Sequence, residues 1–383
     1  MPSYEQLSKG NWKVTVSLGF DSEGKRIRQK KQGFKTKKDA EKWVTETLSK
    51  KHKGYITPTE SNIILKDFIS KWFNEYKINT ISINTIANYR SRIDTHIIPK
   101  LGSYRLDKIT NVIVQDFYNS LINEGQKASS AKKIIETLGN CLKYAQKNKL
   151  IYSLPIDIDR VAIEKPKIEF WSKSEVDFFL NVIKDDYLYT PLFIELLTGL
   201  RLGELCGLRW NDINLEFRYL TVRHQVINDK INKSLLFTDK LKTPTSYRKI
   251  TLPKILINYL KTIKGNSLDT DFIILSREGT MCNPKNLSTN FSNAISRYKL
   301  PLEDYKKSNP KKDSTNYMQL KQITFHALRH THATLLIFNN ENIKVVSERL
   351  GHKSITETLD TYTHVMDDMK NNTADLLDDI FSK

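Results

Sequence analysis

The stretch LGHKSITETLDTYTH, Leu350–His364, places a histidine and a tyrosine inside a sequence that is otherwise helical. Gly351 follows an amphipathic turn and predicts the C-terminal end of one helix. The segment Ser354–Glu357 has the pattern of a capping box, which predicts the start of the next helix. Tyr362 then lies about two turns inside that second helix. The spacing therefore predicts His352 in a turn and Tyr362 on the short helix after it.

A second stretch, TGLRLGELCGLRW, Thr198–Trp210, supplies charged side chains. Arg201 comes directly after a predicted helix stop at Gly199, and Glu204 follows three residues later. Taken alone, each of these charges is equally well explained by a structural salt bridge. Their position after a helix end makes them candidates for a site.

A third stretch, FHALRHTHATLL, Phe325–Leu336, is predicted to be a helix on which His326, Arg329 and His330 share one polar face. Two histidines at i and i+4 can also bind zinc. No Glu follows His326 and no third ligand is evident, so we predict no metal and no cofactor. Taken singly, Arg329 fits a salt bridge, and Tyr362 of the first stretch fits a half-buried helix residue.

As a group, these residues suit phosphodiester transfer. A guanidinium group is a planar fork that binds two phosphate oxygens at once. Two arginines with imidazole donors would stabilise a pentacoordinate transition state without a metal. A tyrosine is a weak nucleophile at its usual pKa of about 10, and it needs a nearby base or cationic surroundings to attack. We therefore expect His352 and Tyr362 to be placed for a phosphate and not for a core.

The composition favours a nucleic-acid partner. The 383 residues contain 61 Lys+Arg against 43 Asp+Glu, a net charge of +18 that is concentrated in the first 167 residues. Such an excess favours a polyanion, although a basic surface without that partner is the alternative. The three cysteines are widely spaced and indicate neither a metal site nor a disulfide framework. We find no signal peptide and no apolar run long enough for a membrane span, so we expect a soluble, cytoplasmic protein.

The pattern along the chain predicts a multi-domain α+β protein with domains at 1–58, 62–160 and 168–383. In the first, NWKVTVSLGF and KRIRQKKQGF read as two strands of a hairpin, followed by a helix capped by Thr36. Period-two alternation puts three basic residues on one face of the second strand, where they could contact DNA or remain solvated. These residues are Arg26, Arg28 and Lys30.

The second domain is predicted to be a helical bundle. Phe68, Trp72 and Tyr76 recur at i, i+4 and i+8 and are predicted to be core residues. Four basic residues could contact DNA or be ordinary solvated charges. They are Arg90, Arg92, Lys132 and Lys133.

The third domain is predicted to be mostly α-helical with a small antiparallel sheet. Three runs read as strands: YLTVRHQVI, SLLFTDKLK and YRKITLP. Lys242 lies in the turn between the last two runs, and Lys240 is close enough to face the same site. The acidic and apolar tail VMDDMKNNTADLLDDIF reads as an amphipathic helix, which could dock on a neighbouring protomer or on its own domain.

GLRLGEL with Arg201, HALRH with His326 and Arg329, and LGH followed by Tyr362 together resemble the tyrosine recombinase, or phage integrase, family. The resemblance extends to the three-part layout of the whole chain. It implies a three-stranded arm-binding sheet with one helix, a helical core-binding domain and a catalytic domain. It also implies a DNA integrase of a phage or conjugative transposon.

The resemblance further implies a role for each site residue. Tyr362 would attack the scissile phosphate, form a 3′-phosphotyrosyl link and release a 5′-hydroxyl. Arg201 and Arg329 would clamp the phosphate. The remaining roles are as follows: His326 as acid/base or phosphate donor, His352 as phosphate donor, Lys242 as proton donor to the leaving 5′-oxygen, Glu204 as an orienting carboxylate, and His330 as a support one layer behind.

The partners implied are double-stranded attachment sites and three further protomers, which together form a tetramer on a Holliday junction. A small excisionase and a host DNA-bending protein are further implied partners, and a membrane is not. Two alternatives remain: a Xer-like resolvase, which the basic N-terminal hairpin argues against, and a DNA-binding regulator without catalysis, which the complete catalytic set argues against.

Overall fold

The computed structural model describes residues 2–20, 26–52, 63–163, 168–241, 244–309, 317–369 and 381. The chain forms two compact units, Met1–Lys165 and Pro166–Lys383. Within the described ranges, no helix is long and apolar enough to cross a membrane. Most of the acidic C-terminal tail lies outside these ranges, and so does Lys242.

The chain begins with a three-stranded antiparallel sheet in the order β1-β2-β3. Its elements are β1 (Ser3–Ser8), β2 (Asn11–Phe20), β3 (Arg26–Phe34) and the helix α1 (Lys37–His52). Asp39 N donates to Thr36 Oγ1 at 3.2 Å, which confirms the predicted cap. The core between sheet and helix consists of Val14, Val16, Leu18, Ala40 and Val44. The strand β1 was not predicted from the sequence pattern, because nearly all its side chains are exposed and it shows no apolar alternation. Only the family resemblance predicted a third strand.

A helical bundle follows in the same unit. Its helices are α2 (Leu65–Lys71), α3 (Ile83–Arg92), α4 (Ile98–Leu101), α5 (Asn111–Asn123) and α6 (Ala128–Lys147). The predicted aromatic stripe is wrong at Tyr76, which is 46% exposed. A π-helical turn at Trp72–Lys77 follows α2 and changes the periodicity, so that the i+8 position leaves the buried face.

The second unit contains nine further helices and five strands in its described part. The helices are α7 (Lys173–Val182), α8 (Tyr189–Thr198), α9 (Leu202–Cys206), α10 (Lys254–Lys264), α11 (Pro284–Ser296), α12 (Leu302–Ser308), α13 (Phe325–Phe338), α14 (Ile343–Leu350) and α15 (Ile355–Met369). The strands are β4 (Ile213–Asn214), β5 (Tyr219–Val222), β6 (Gln225–Asp229), β7 (Ser234–Thr238) and β8 (Arg248–Thr251).

These strands form two small sheets, β4-β5-β8 and β6-β7. The run YLTVRHQVI was predicted as one strand, and this is wrong, because it divides between β5 and β6. Arg223, at the break, is exposed and donates from Nε to Asp212 Oδ1 at 2.9 Å.

Two glycines end the helices that border the site. Gly199 after α8 and Gly351 after α14 have φ of 65° and 67°, as the sequence predicted. This left-handed conformation favours glycine because it has no Cβ. Each glycine therefore fixes the direction in which the chain leaves its helix.

Candidate active site

Glu204 is a buried carboxylate that binds two arginines. It lies on α9, three residues after Arg201, and is 4% exposed. Arg201 Nη1 donates to Glu204 Oε1 at 2.8 Å. Arg248, on β8, donates from Nη2 to Glu204 Oε2 at 2.9 Å. Burial raises the pKa of the carboxyl group, but Arg248 and Arg201 lower it by more, so that the net pKa shift is downward. Glu204 is therefore ionised and orients both guanidinium groups.

Arg329 and Arg201 donate to consecutive main-chain carbonyls. Arg329, on α13, is 2% exposed. It donates from Nη2 to Leu350 O at 2.5 Å and from Nη1 to Gly199 O at 2.6 Å. Arg201 Nη2 donates to Gly351 O at 2.9 Å. The ends of α8 and α14 thus bring the two guanidinium groups to the same turn.

The cluster carries excess positive charge. Burial first, and then Arg201 and Arg248, lower the pKa of Arg329 to about 10, which leaves it protonated at neutral pH. Burial also raises the pKa of a second carboxyl group, that of Glu195 on α8, well above its usual value. Neither oxygen of Glu195 has a hydrogen-bond partner among the described residues. Burial therefore favours the protonated form of Glu195. Among the described residues, Glu204 is the carboxylate that pairs with Arg201 and Arg248, and the excess positive charge suits a phosphate.

His352 lies in the turn after α14, as predicted. Its Nδ1 is 2.7 Å from Thr358 Oγ1 on α15. Burial, and then the charge of Arg329, lower its pKa to about 4. At neutral pH the ring is therefore uncharged and acts by hydrogen bonding.

Tyr362 is a core residue in this structure, and the expectation that it is not placed in a core is wrong. The residue is 1% exposed. It packs in a cluster with four residues of α13 and α14, namely Ala333, Ile337, Val346 and Leu350. Its hydroxyl oxygen lies 2.9 Å from His330 Nδ1. Burial raises its pKa, and the charge of Arg329 offsets part of that shift. The aromatic ring packs in the core while the hydroxyl reaches a polar group.

The histidines of α13 differ in exposure. His326 is exposed, whereas His330 is partly buried. Their ring centroids are 5.0 Å apart with the rings edge to face. Burial, and then the neighbouring His326, lower the pKa of His330 to about 4. His330 therefore contacts Tyr362 itself, and its predicted place one layer behind the phosphate stays a prediction.

Lys242 lies outside the described residues, so its predicted position has no structural counterpart here. The nearby Lys240 is exposed, and its carbonyl accepts a hydrogen bond from Gln225 Nε2. Lys240 belongs to the connection between β7 and β8.

A buried layer behind the arginines was not predicted from the sequence. Arg349 Nε donates to His332 Nε2 at 3.1 Å, and His332 Nδ1 lies 2.8 Å from Leu196 O. Arg349 also donates a hydrogen bond to Leu197 O, and the main-chain carbonyl of Arg349 accepts one from Arg248 Nε. Arg248 and Arg349 were not singled out because each fits an ordinary polar position of its strand or helix. Arg248 and Arg349 do not interrupt the apolar pattern of their strand and helix, and only the fold brings the two charges together.

The predicted DNA-contacting residues occupy different environments. The three on β3, Arg26, Arg28 and Lys30, are all exposed. Arg28 pairs with Ser17 and Lys30 with Thr15, on the face opposite the core. In the bundle, Lys132 and Lys133 are exposed. The other two make local contacts: the guanidinium of Arg90 lies 5.9 Å from the ring of Phe73, and Arg92 donates to Thr137 at 3.3 Å.

Three family models match this chain. Residues 169–369 match the phage integrase family, residues 64–122 its N-terminal SAM-like domain, and residues 2–51 an arm DNA-binding domain. A tyrosine recombinase XerC-like protein of Caldanaerobacter subterraneus subsp. tengcongensis is 27% identical, over 99% of this chain and 98% of that protein. The ICEBs1 integrase of Bacillus subtilis is 26% identical, over 99% of this chain and 100% of that protein.

Solved structures share the fold. The Tn1549 transposon integrase in complex with transposon right end DNA has a TM-score of 0.65 at 20% identity, and covers 81% of this chain and 99% of that one. A lambda integrase tetramer bound to a Holliday junction has a TM-score of 0.53 at 19% identity, and covers 91% of this chain and 92% of that one.

Proposed function

This chain belongs to the phage integrase family, the tyrosine-type site-specific DNA recombinases, and on that premise we propose which residues carry out its strand transfer. Tyr362 attacks the scissile phosphate, forms a 3′-phosphotyrosyl link and releases a 5′-hydroxyl. Arg201 and Arg329 bind the non-bridging oxygens. The link conserves the energy of the broken phosphodiester, so rejoining needs no ATP.

The observation that carries this proposal is the convergence of Arg201 and Arg329. Their donors reach the consecutive carbonyls of Gly351 and Leu350, immediately before His352. Three distant parts of the sequence thus meet at one turn. The excess positive charge there is uncompensated and matches the charge that develops on a phosphoryl group in transfer.

The remaining roles follow from chemistry. His352, neutral at neutral pH, can donate a hydrogen bond to the phosphate. His326 serves as acid/base or phosphate donor, and Glu204 orients Arg201. We assign to Lys242 the protonation of the leaving 5′-oxygen, because it is a cation that the sequence predicts in a turn between two strands.

We propose that the protein acts on DNA as a tetramer that exchanges strands through a Holliday junction in the bacterial cytoplasm. The exposed basic face of β3 suits an arm site, and the helical bundle suits the core site together with the catalytic unit. An excisionase and a host DNA-bending protein complete the proposed partners. Most of the affinity would come from phosphate contacts and would fall with salt.

The test is covalent trapping. Wild-type protein and Tyr362→Phe are incubated with nicked duplexes that carry the attachment site, with EDTA and without ATP. We expect a protein–DNA adduct that survives a denaturing gel with wild type alone. Tyr317→Phe is the matched control, because Tyr317 donates to Leu300 O away from the cluster. An adduct with Tyr362→Phe, or none with wild type on a duplex that it binds, would refute the assignment.

A further inference from the structure

His330 contacts Tyr362, the proposed nucleophile, and none of the roles described so far explains this contact. Its Nδ1 lies 2.9 Å from Tyr362 Oη, and the ring centroids are 5.7 Å apart at an angle of 65°. A hydroxyl and an imidazole nitrogen at this distance are hydrogen-bonded. The proton lies between the group that must attack and a group that can accept it.

The environment of His330 keeps its ring uncharged. Burial lowers its pKa to about 4, and His326, Arg329 and His352 act in the same direction. At neutral pH only one ring nitrogen carries a proton. Tyr362 can therefore donate to Nδ1 if the ring proton is on Nε2.

Tyr362 needs such a base. Burial raises the pKa of its hydroxyl, so that very little phenolate forms unaided at neutral pH. A nucleophile of this kind gains from a base within hydrogen-bond reach. His326, exposed and edge-on to His330 at 5.0 Å between centroids, provides a route to solvent.

We propose that His330 is a catalytic residue that accepts the phenolic proton of Tyr362 during strand cleavage, and that His326 passes a proton on to solvent. This rests on the strand-transfer function proposed above. The Oη–H bond breaks and its proton goes to Nδ1, while the oxygen lone pair forms the bond to phosphorus. The bond from phosphorus to the 5′-oxygen breaks, and that oxygen takes a proton from Lys242. The imidazolium then loses its Nε2 proton, and the reverse sequence operates in rejoining.

The experiment isolates tyrosine activation from leaving-group protonation. The substrate is an attachment-site duplex with a 5′-bridging phosphorothiolate at the scissile position, because a thiolate leaves without a proton. Cleavage is compared for wild type, His330→Asn and His330→Ala across neutral and mildly alkaline pH. Asn can still hydrogen-bond to Tyr362 but cannot accept its proton. His96→Asn, in the other compact unit, is the matched control.

We expect His330→Asn to cleave about 10²- to 10⁴-fold more slowly at neutral pH, the usual contribution of a general base. Its rate should rise about tenfold per pH unit, because the phenol must ionise by itself, while the wild-type rate stays flat. Added imidazole should restore part of the His330→Ala rate. DNA binding should be unchanged in both variants.

A wild-type rate or a flat pH profile for His330→Asn would overturn the proposal and leave His330 as a holder of the hydroxyl. If the variants do not fold, ¹⁵N-histidine NMR of wild type decides, because an Nδ1-protonated ring could not accept from Tyr362. If wild type itself forms no adduct, the strand-transfer function fails first. If wild type and His330→Asn both cleave normally, the strand-transfer function holds and only the role of His330 as a base fails.

Discussion

At the scale of the residue, Glu204 determines where two arginines point. It is ionised, nearly inaccessible to solvent and bonded to both Arg201 and Arg248. Removing one partner of a buried ion pair leaves the other charges uncompensated, which costs about 3–5 kcal/mol. The carboxylate thus stabilises the unit and positions Arg201.

We expect Glu204→Gln to lower both stability and cleavage. The free energy of unfolding should fall by about 3 kcal/mol, and cleavage by about 100-fold because Arg201 loses its orientation. Chemical denaturation and adduct formation measure the two effects. Glu216→Gln, on an exposed turn, is the matched control and should change neither. A fully active, fully stable Glu204→Gln would remove the carboxylate from the site.

The same scale shows what a sequence can and cannot reveal. Arg201, Glu204 and Arg329 stand beside helix ends or on a polar face, so their convergence could be anticipated. Tyr362 could be located but not its burial, because the apolar residues that enclose it come from α13 and α14. Arg349 was invisible for the same reason, since its acceptors lie on other elements.

At the scale of the element, the end of α14 is where backbone and site geometry coincide. A Cβ on Gly351 would lie 2.9 Å from Thr245 O and 3.0 Å from Arg248 Cδ. The carbonyl of Gly351 is also the acceptor for Arg201. The position therefore excludes a side chain on two grounds, its left-handed φ and the lack of space.

We expect Gly351→Ala to reduce cleavage at least tenfold while DNA binding persists. The left-handed backbone alone costs about 1–2 kcal/mol with a Cβ, and the close contacts displace the turn that Arg201 grips. Gly279→Ala is a matched control, because Gly279 has φ of 74° with nothing within 4 Å of its Cβ. Cleavage kinetics of both variants on one duplex make the comparison. Equal effects of the two substitutions would show that strain, and not the site, accounts for any loss.

Secondary structure was predictable wherever a local rule decided it. The cap at Thr36 and the stops at Gly199 and Gly351 have the predicted form. Prediction failed where tertiary contacts overrode the pattern. The predicted strand divides between β5 and β6 at Arg223, which donates to Asp212, and β1 pairs with β2 although its sequence is polar.

At the scale of the whole molecule, acid should destabilise the catalytic unit through its buried histidines. Burial lowers the pKa of His332 to about 3, and those of His330 and His352 to about 4. An unfolded histidine titrates near about 6.5. These histidines therefore stabilise the folded state fully at a pH above the pKa of an unfolded histidine. The stabilisation is lost as the pH falls towards their pKa values in the folded state. Glu195, whose pKa is raised by burial, acts in the opposite direction and makes the dependence of stability on pH weaker.

We expect the free energy of unfolding to decrease between about pH 6 and 5, with His332 contributing about 1.4 kcal/mol per pH unit. His352 contributes less because it is partly solvated. Denaturant unfolding at a series of pH values measures the slope. His332→Gln should make that slope shallower, because Gln does not titrate, even if it lowers stability at every pH. His96→Gln, in the other compact unit, should leave the slope unchanged. An identical slope in wild type and His332→Gln would mean that the buried imidazole is already protonated in the folded state, where it could not accept a hydrogen bond from Arg349.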